Sequence, residues 1–265
     1  MRRGGFTVVE LLVVISVIAL LAALLFPVLH GAREQARATA CGANVRRLAI
    51  AIQAYEAANQ VFPHGFGKPG GTRPPGGYLG NASIDPQGWW WLNYIGAIRY
   101  RTLRDMSTMQ CPSRQIEDAR LTRDVLCGNY GVNRALCKSA VNDEPANEFE
   151  GTPLSLAAVR HPGATSLVMD SGYTLICWWH AAKDPPVTFG SSIQDAAYVP
   201  GLLEVNEQKV LWPGQSRDAK EGRHANQTLN VAFVDGQVRR MNARDLLVEK
   251  TEDGDWNYKP LWSPD

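Results

Sequence analysis

The chain has 265 residues, with 27 Lys and Arg against 26 Asp and Glu and 45% hydrophobic residues. A near-zero net charge without an acidic or basic tail excludes the electrostatic footprint of a nucleic-acid binder. The length left beyond the first sixty residues suffices for one domain with a real core, and no internal repeat is visible.

The N-terminus reads Met1-Arg2-Arg3-Gly4-Gly5, followed by a nearly all-apolar run from Phe6 to Leu29 whose one charge is Glu10. About 20 apolar residues in a helix span the hydrocarbon core of a bilayer, so this run predicts a transmembrane helix. Arg2 and Arg3 favour a cytoplasmic N-terminus, although Arg33, Arg37, Arg46 and Arg47 on the far side balance the charge rule. A cleaved secretory signal has a shorter apolar region, roughly 7–15 residues, and a small-x-small end. Here the run is longer and closes on Phe26-Pro27-Val28-Leu29-His30. Glu10 is costly in a membrane segment and calls for a partner. A cut after Gly5 would supply one, because the new amine on Phe6 of a neighbouring subunit is a cation.

Beyond Pro27, Val45, Leu48, Ile52 and Tyr55 step at helical spacing, while Arg46, Arg47, Gln53 and Glu56 fall off that stripe. Pro63 and Gly65 end the pattern after Asn59. One long helix, bent at Pro27, is therefore expected from about Phe6 to Asn59: membrane first, domain spine second. The Gly- and Pro-rich stretch from Pro63 to Gly88 reads as loop. Trp89-Trp90-Trp91 opens a helix expected to run toward Tyr100, and Gly128 to Asn133 reads as turn-like. Pro153 to Val159 reads as a short helix, and Ser166–Asp170 and Tyr173–Trp179 read as strands. Residues 180–223 show no period. Leu229–Val234 and Gln237–Met241 flank Asp235-Gly236, a strong hairpin signal. The fold class is α+β, a long N-terminal helix packed against a small antiparallel sheet with long loops. The segments are 1–5 leader, 6–29 transmembrane helix, 30–60 spine and 61–265 exported globular domain.

The run Gly5-Phe6-Thr7-Val8-Val9-Glu10-Leu11-Leu12-Val13-Val14-Ile15 resembles the processing signal of type IV pilins and type II secretion pseudopilins. The resemblance implies cleavage after Gly5 by a prepilin peptidase, N-methylation of Phe6, and assembly through Phe6, Glu10 and Pro27. It implies as partners like or related pilin subunits, an inner-membrane assembly platform and membrane lipid. It places a single-pass protein in the cytoplasmic membrane with its globular domain on the periplasmic side, passing into a pseudopilus or pilus-like filament. The alternative reading keeps the anchor without polymerisation and presents the Trp-rich segments (Trp89 to Trp91, Trp178 and Trp179) to a glycan or protein.

Cys41 with Asn44 and Leu48, Cys111-Pro112-Ser113, Asn129-Tyr130-Gly131-Val132-Asn133, and Arg223-His224 with Asp235-Gly236 resemble a planctomycete-type family of prepilin-like proteins with a C-terminal His…Asp-Gly motif. Ten residues separate His224 from Asp235 here, where that family usually has nine. His224 and Asp235 are candidates for a metal-ligand or acid/base pair, against the plainer expectation that Asp235 shapes a turn. The pseudopilin resemblance also brings in Ca²⁺, for which Asp235, Asp253 and Asp255 are the available oxygen ligands. None of the five cysteines forms a Cys-x-x-Cys pair, which argues against a zinc ribbon. Cys111, Cys127 and Cys137 lie closest in sequence and are the disulfide candidates, with connectivity open and free buried thiols the alternative. Gly-x-Ser-x-Gly and the Gly-rich phosphate loops are absent, so no enzyme and no cofactor is expected.

Overall fold

A computed structural model describes residues 7–74, 77–96, 108–140, 147–190 and 192–265. The leader, its cleavage point at Gly5 and the methylation position Phe6 lie outside these residues.

Helix α1 runs unbroken from Val8 to Asn59, 52 residues, close to the bounds expected from the sequence. Thr7 is its N-cap and forms a capping box with Glu10, and Gln60 closes it in the left-handed conformation. The helix has two chemically distinct halves. From Val8 to Leu29 its large apolar side chains are exposed, and it is long and apolar enough to cross a membrane. From Ala38 onward one stripe goes inside: Ala38, Cys41, Val45, Leu48, Ala49 and Ile52 are buried, while Arg46 and Arg47 stay outside.

That stripe covers a five-stranded sheet of order β5-β3-β4-β6-β7. Its strands are β3 (Tyr130–Asn133), β4 (Ser166–Asp170), β5 (Leu175–Ile176), β6 (Thr228–Phe233) and β7 (Val238–Asn242). All pairings are antiparallel except β3 with β5. A separate two-stranded ribbon pairs β1 (Phe66–Gly67) with β2 (Trp89–Trp90). Alternation along β6 divides the core. Ala232 and Val234 join the cluster beneath α1, whereas Leu229, Val231 and Phe233 join a second cluster with Trp178, Leu246 and Trp262. The sheet is thus covered on both faces, which is why β4 is buried throughout.

Several expectations are corrected. Tyr130–Asn133 is strand rather than turn. A Cβ on Gly131 would sit 2.5 Å from the Tyr173 carbonyl, so glycine there permits a close approach. Asn133 turns its amide to the Ser166 and Trp262 carbonyls at 3.0 and 3.3 Å. Helix α2 covers Trp91–Tyr94 and a turn through Ile95 and Gly96 ends it, while the rest of the stretch expected to be helical, up to Tyr100, lies outside the described residues. Of Tyr173–Trp179, only Leu175–Ile176 is strand, and a 3₁₀ turn takes Trp178–Ala181. The short helix expected within Pro153–Val159 is present as a 3₁₀ turn at Leu156–Ala158. Among the described residues of 180–223 are two short helices, α4 (Leu203–Asn206) and α5 (Ser216–Glu221); α3 is Ala119–Thr122.

Candidate functional site

The densest gathering of ionisable side chains lies where α1 enters the globular domain. Asp170 ends β4, Asn230 sits on β6, and both face α1. Gly42 lets the helix come down on them, since a Cβ there would stand 3.1 Å from Asn230 Oδ1. His224 bridges to Thr228 just before β6, which brings its ring beneath the helix. The His224 side chain is fully buried between two carboxylates: Nδ1 lies 3.3 Å from Glu34 Oε1, and Nε2 lies 3.3 Å from Asp170 Oδ2. Asn230 donates to Asp170 Oδ2 from its backbone N at 2.7 Å and from Nδ2 at 2.9 Å. Its Nδ2 also lies 3.2 Å from His224 Nε2. Ser113 Oγ donates to Glu34 Oε1 at 2.8 Å. Burial alone would raise the pKa of Asp170, but the hydrogen bond and charge of His224, with Arg223 and the Asn230 amide, hold it below the usual carboxylate range.

Beside this cluster Arg223 is buried and fully engaged. It donates to Asp218 Oδ1 and Oδ2 at 2.8–2.9 Å and to the Asn129 and Ser171 carbonyls at 2.6 Å. Tyr198 donates to the same Asp218 at 2.8 Å. Outside it, Gly31, Glu34, Gln35, Gln115, Gly222 and His224 line part of a cleft of about 420 Å³ at the foot of the domain.

Cys41 of α1 is bonded to Cys111, and both are buried against Asp170 and His224. The disulfide expectation among Cys111, Cys127 and Cys137 is therefore corrected. Cys111 pairs with a cysteine seventy positions earlier, and Cys127 and Cys137 are free and buried. Proximity in sequence misled because α1 carries Cys41 into the domain core, where Cα–Cα is 5.3 Å to Cys111.

The pairing of His224 with Asp235 is also corrected. They stand at opposite ends of β6, about 20 Å of strand apart. Asp235 is exposed, and its Oδ1 accepts from Gln237 N at 2.9 Å as a turn residue, followed by Gly236. Asp253 and Asp255 are exposed too. Among the described residues these three aspartates do not gather into one cluster. Two carboxylates of the His224 cluster escaped sequence reading, Glu34 and Asp170; each looked like an ordinary helix or strand residue. In the two Trp-rich segments, Trp90, Trp91 and Trp178 are buried, and Trp89 and Trp179 reach the surface in part.

A second buried group joins Asp85, Asp124 and Cys127. Tyr173 donates to Asp85 Oδ1 at 2.8 Å, and the Asn81 backbone N–H donates to Asp85 Oδ2 at 2.8 Å and Asp124 Oδ2 at 3.0 Å. Burial, then the neighbouring Asp124, push Asp85 up to about 8.

Comparison with known proteins places matches on both halves of the chain. Residues 1–26 match the prokaryotic N-terminal methylation motif, and residues 30–184 match a family described as "Protein of unknown function (DUF1559)". The chain is similar to the type II secretion system core protein G of Pseudomonas aeruginosa, 29% identical over 99 residues, which is 33% of this chain and 70% of that protein. No solved structure matches it.

Proposed function

Since the chain belongs to the DUF1559 family and opens on a prokaryotic N-terminal methylation motif, we propose that it is a structural subunit of a type II secretion pseudopilus or type IV pilus-like filament. A prepilin peptidase cuts after Gly5 and Phe6 is methylated. The helix from Phe6 to Leu29 holds the subunit in the cytoplasmic membrane, with the globular domain on the outer side. Like or related subunits, delivered by an inner-membrane assembly platform, then pack these helices together. The observation that carries this reading is the apolar half of α1. Its side chains are unburied within the subunit, yet it is continuous with the spine of a well-packed domain. Such a surface needs lipid or other helices around it. The similarity to a secretion-system core protein supports the same reading.

Glu10 fits both environments. Within one chain its Oε2 accepts from Thr7 N and Thr7 Oγ1, each at 2.8 Å, which satisfies the carboxylate while the subunit waits in lipid. In a filament, the Phe6 amine of a neighbour takes over as its counter-charge. Pro27 supplies a bend where the helix leaves the packed bundle.

Mass spectrometry of the mature N-terminus, on protein from cells carrying a prepilin peptidase, tests the proposal. A chain beginning at Phe6 and carrying one extra methyl group is expected. An intact Met1 would remove the basis for assembly and leave a tethered domain, and a terminus beyond His30 would remove the anchor as well and leave a secreted one.

A further inference from the structure

Cys41 Sγ, Cys111 Sγ, one oxygen of Asp170 and one ring nitrogen of His224 lie within 4.8 Å of one another, and all four residues are buried. We propose that in the dithiol state these residues form a tetrahedral zinc site, so that the pair Cys41 and Cys111 alternates between a disulfide and a metal centre. The inference concerns the globular domain and does not depend on filament assembly.

Four observations carry it. The donor set is two sulfurs, one imidazole and one carboxylate, a combination of soft and borderline ligands that suits Zn²⁺ better than Ca²⁺ or Mg²⁺. Zn–S bonds of about 2.3 Å set two sulfurs roughly 3.8 Å apart, so the ligand atoms need only small shifts once the S–S bond is open. Second, Asp170 Oδ1 is completely buried and has no hydrogen-bond partner among the described residues, while Oδ2 is held by Asn230. A buried carboxylate oxygen without a donor is costly, and a cation would satisfy it. Third, the outer arrangement is already present. His224 Nδ1 lies 3.3 Å from Glu34 Oε1, so once zinc takes the place of the Nε2 contact with Asp170, Nδ1–H donates to Glu34 and the Nε2 lone pair faces the metal, the imidazole–carboxylate geometry that orients metal-binding histidines. Ser113 Oγ in turn fixes Glu34. Fourth, there is a way in, because Glu34 and His224 line the open cleft at the foot of the domain.

The two states interconvert by thiol–disulfide exchange. A dithiol donor loses two electrons and two protons and leaves as its own disulfide; Cys41 and Cys111 gain them and separate as thiols. Zn²⁺ then binds both as thiolates, and their two protons pass to solvent. The site is unlike the zinc ribbon that the lack of Cys-x-x-Cys argues against, because its ligands come from four separate places in the chain.

The test uses the full chain in detergent. It is reduced with a water-soluble phosphine, equilibrated with ZnCl₂, desalted, and assayed for zinc by mass spectrometry. About one Zn²⁺ per reduced chain is expected, with at least tenfold less in the oxidised chain. The double variant Cys41→Ser/Cys111→Ser should lose the metal, whereas Cys127→Ser, which alters the other thiol–carboxylate group, should retain it. Co²⁺ supplied to the reduced wild-type chain should give thiolate-to-cobalt charge-transfer bands and the d–d intensity of a tetrahedral site. This readout needs no variant to fold. Failure of reduced wild-type protein to bind Zn²⁺ or to show these Co²⁺ bands would overturn the proposal. So would equal zinc in the double-serine chain, or loss of zinc only with Cys127→Ser.

Discussion

At the scale of single residues, the buried pair Asp85 and Asp124 makes a prediction about pH. Burial first, and the Asp124 carboxylate next, raise Asp85 from 3.8 to about 8. Between those values the folded protein holds a proton that the unfolded chain releases. This contribution to stability is fully present below about pH 4 and is lost as pH rises through about 8. Asp85→Asn removes the titration, while the Asn81 backbone N–H keeps Asp124 Oδ2 as its acceptor. Thermal melts of wild type should fall in midpoint between mildly acidic and mildly alkaline buffer. Melts of Asp85→Asn should show a flatter profile and a higher midpoint than wild type at alkaline pH. An unchanged slope in the variant would place the proton elsewhere. Residue-level features of this kind were poorly legible in the sequence. His224 stood out as part of a motif, but its partners Asp170, Asn230 and Glu34 come from a strand, another strand and the long helix. Asp170 reads as the last residue of an ordinary strand until that strand is placed under a helix.

At the scale of elements, periodicity was the readable signal. The α1 stripe, β4 and the β6–β7 hairpin each carry enough repeats of a helical or strand pattern to be found, and Asp235-Gly236 marked the turn between the last two strands. Strands of two to four residues, such as β3 and β5, are too short for a period, and their pairing partners are distant in sequence. The stripe itself predicts an energetic hierarchy along one helix. Leu48 is 2% exposed in the main core. Leu48→Ala should therefore cost about 2–5 kcal/mol, seen as a lower denaturation midpoint of the globular domain in detergent. The same change at Ile50, which is 54% exposed on the opposite face, should cost well under 1 kcal/mol. Equal losses at both positions would mean that α1 is not docked along this face.

At the scale of the whole molecule, one subunit presents two unlike surfaces to its surroundings: an apolar rod about 33 Å long from Val8 to Leu29, and a mixed-charge domain built on its continuation. Glu10 is the one charged residue on the rod. Glu10→Ala removes the counter-charge for a neighbour's Phe6 amine, so membrane-anchored monomer should accumulate and sheared filament fall at least tenfold in immunoblots of fractionated cells. Filament at the wild-type level would favour a different assembly contact or the tethered binding module. The bond between Cys41 and Cys111 also has a mechanical meaning. A pull on the apolar rod, as when a subunit is drawn from the bilayer, travels up α1 and reaches Cys41 before Val45, Leu48 or Ile52. With the bond closed, that load passes covalently into the chain ahead of β3. With it open, the load falls on side-chain packing alone, and the helix can be peeled from the sheet one turn at a time.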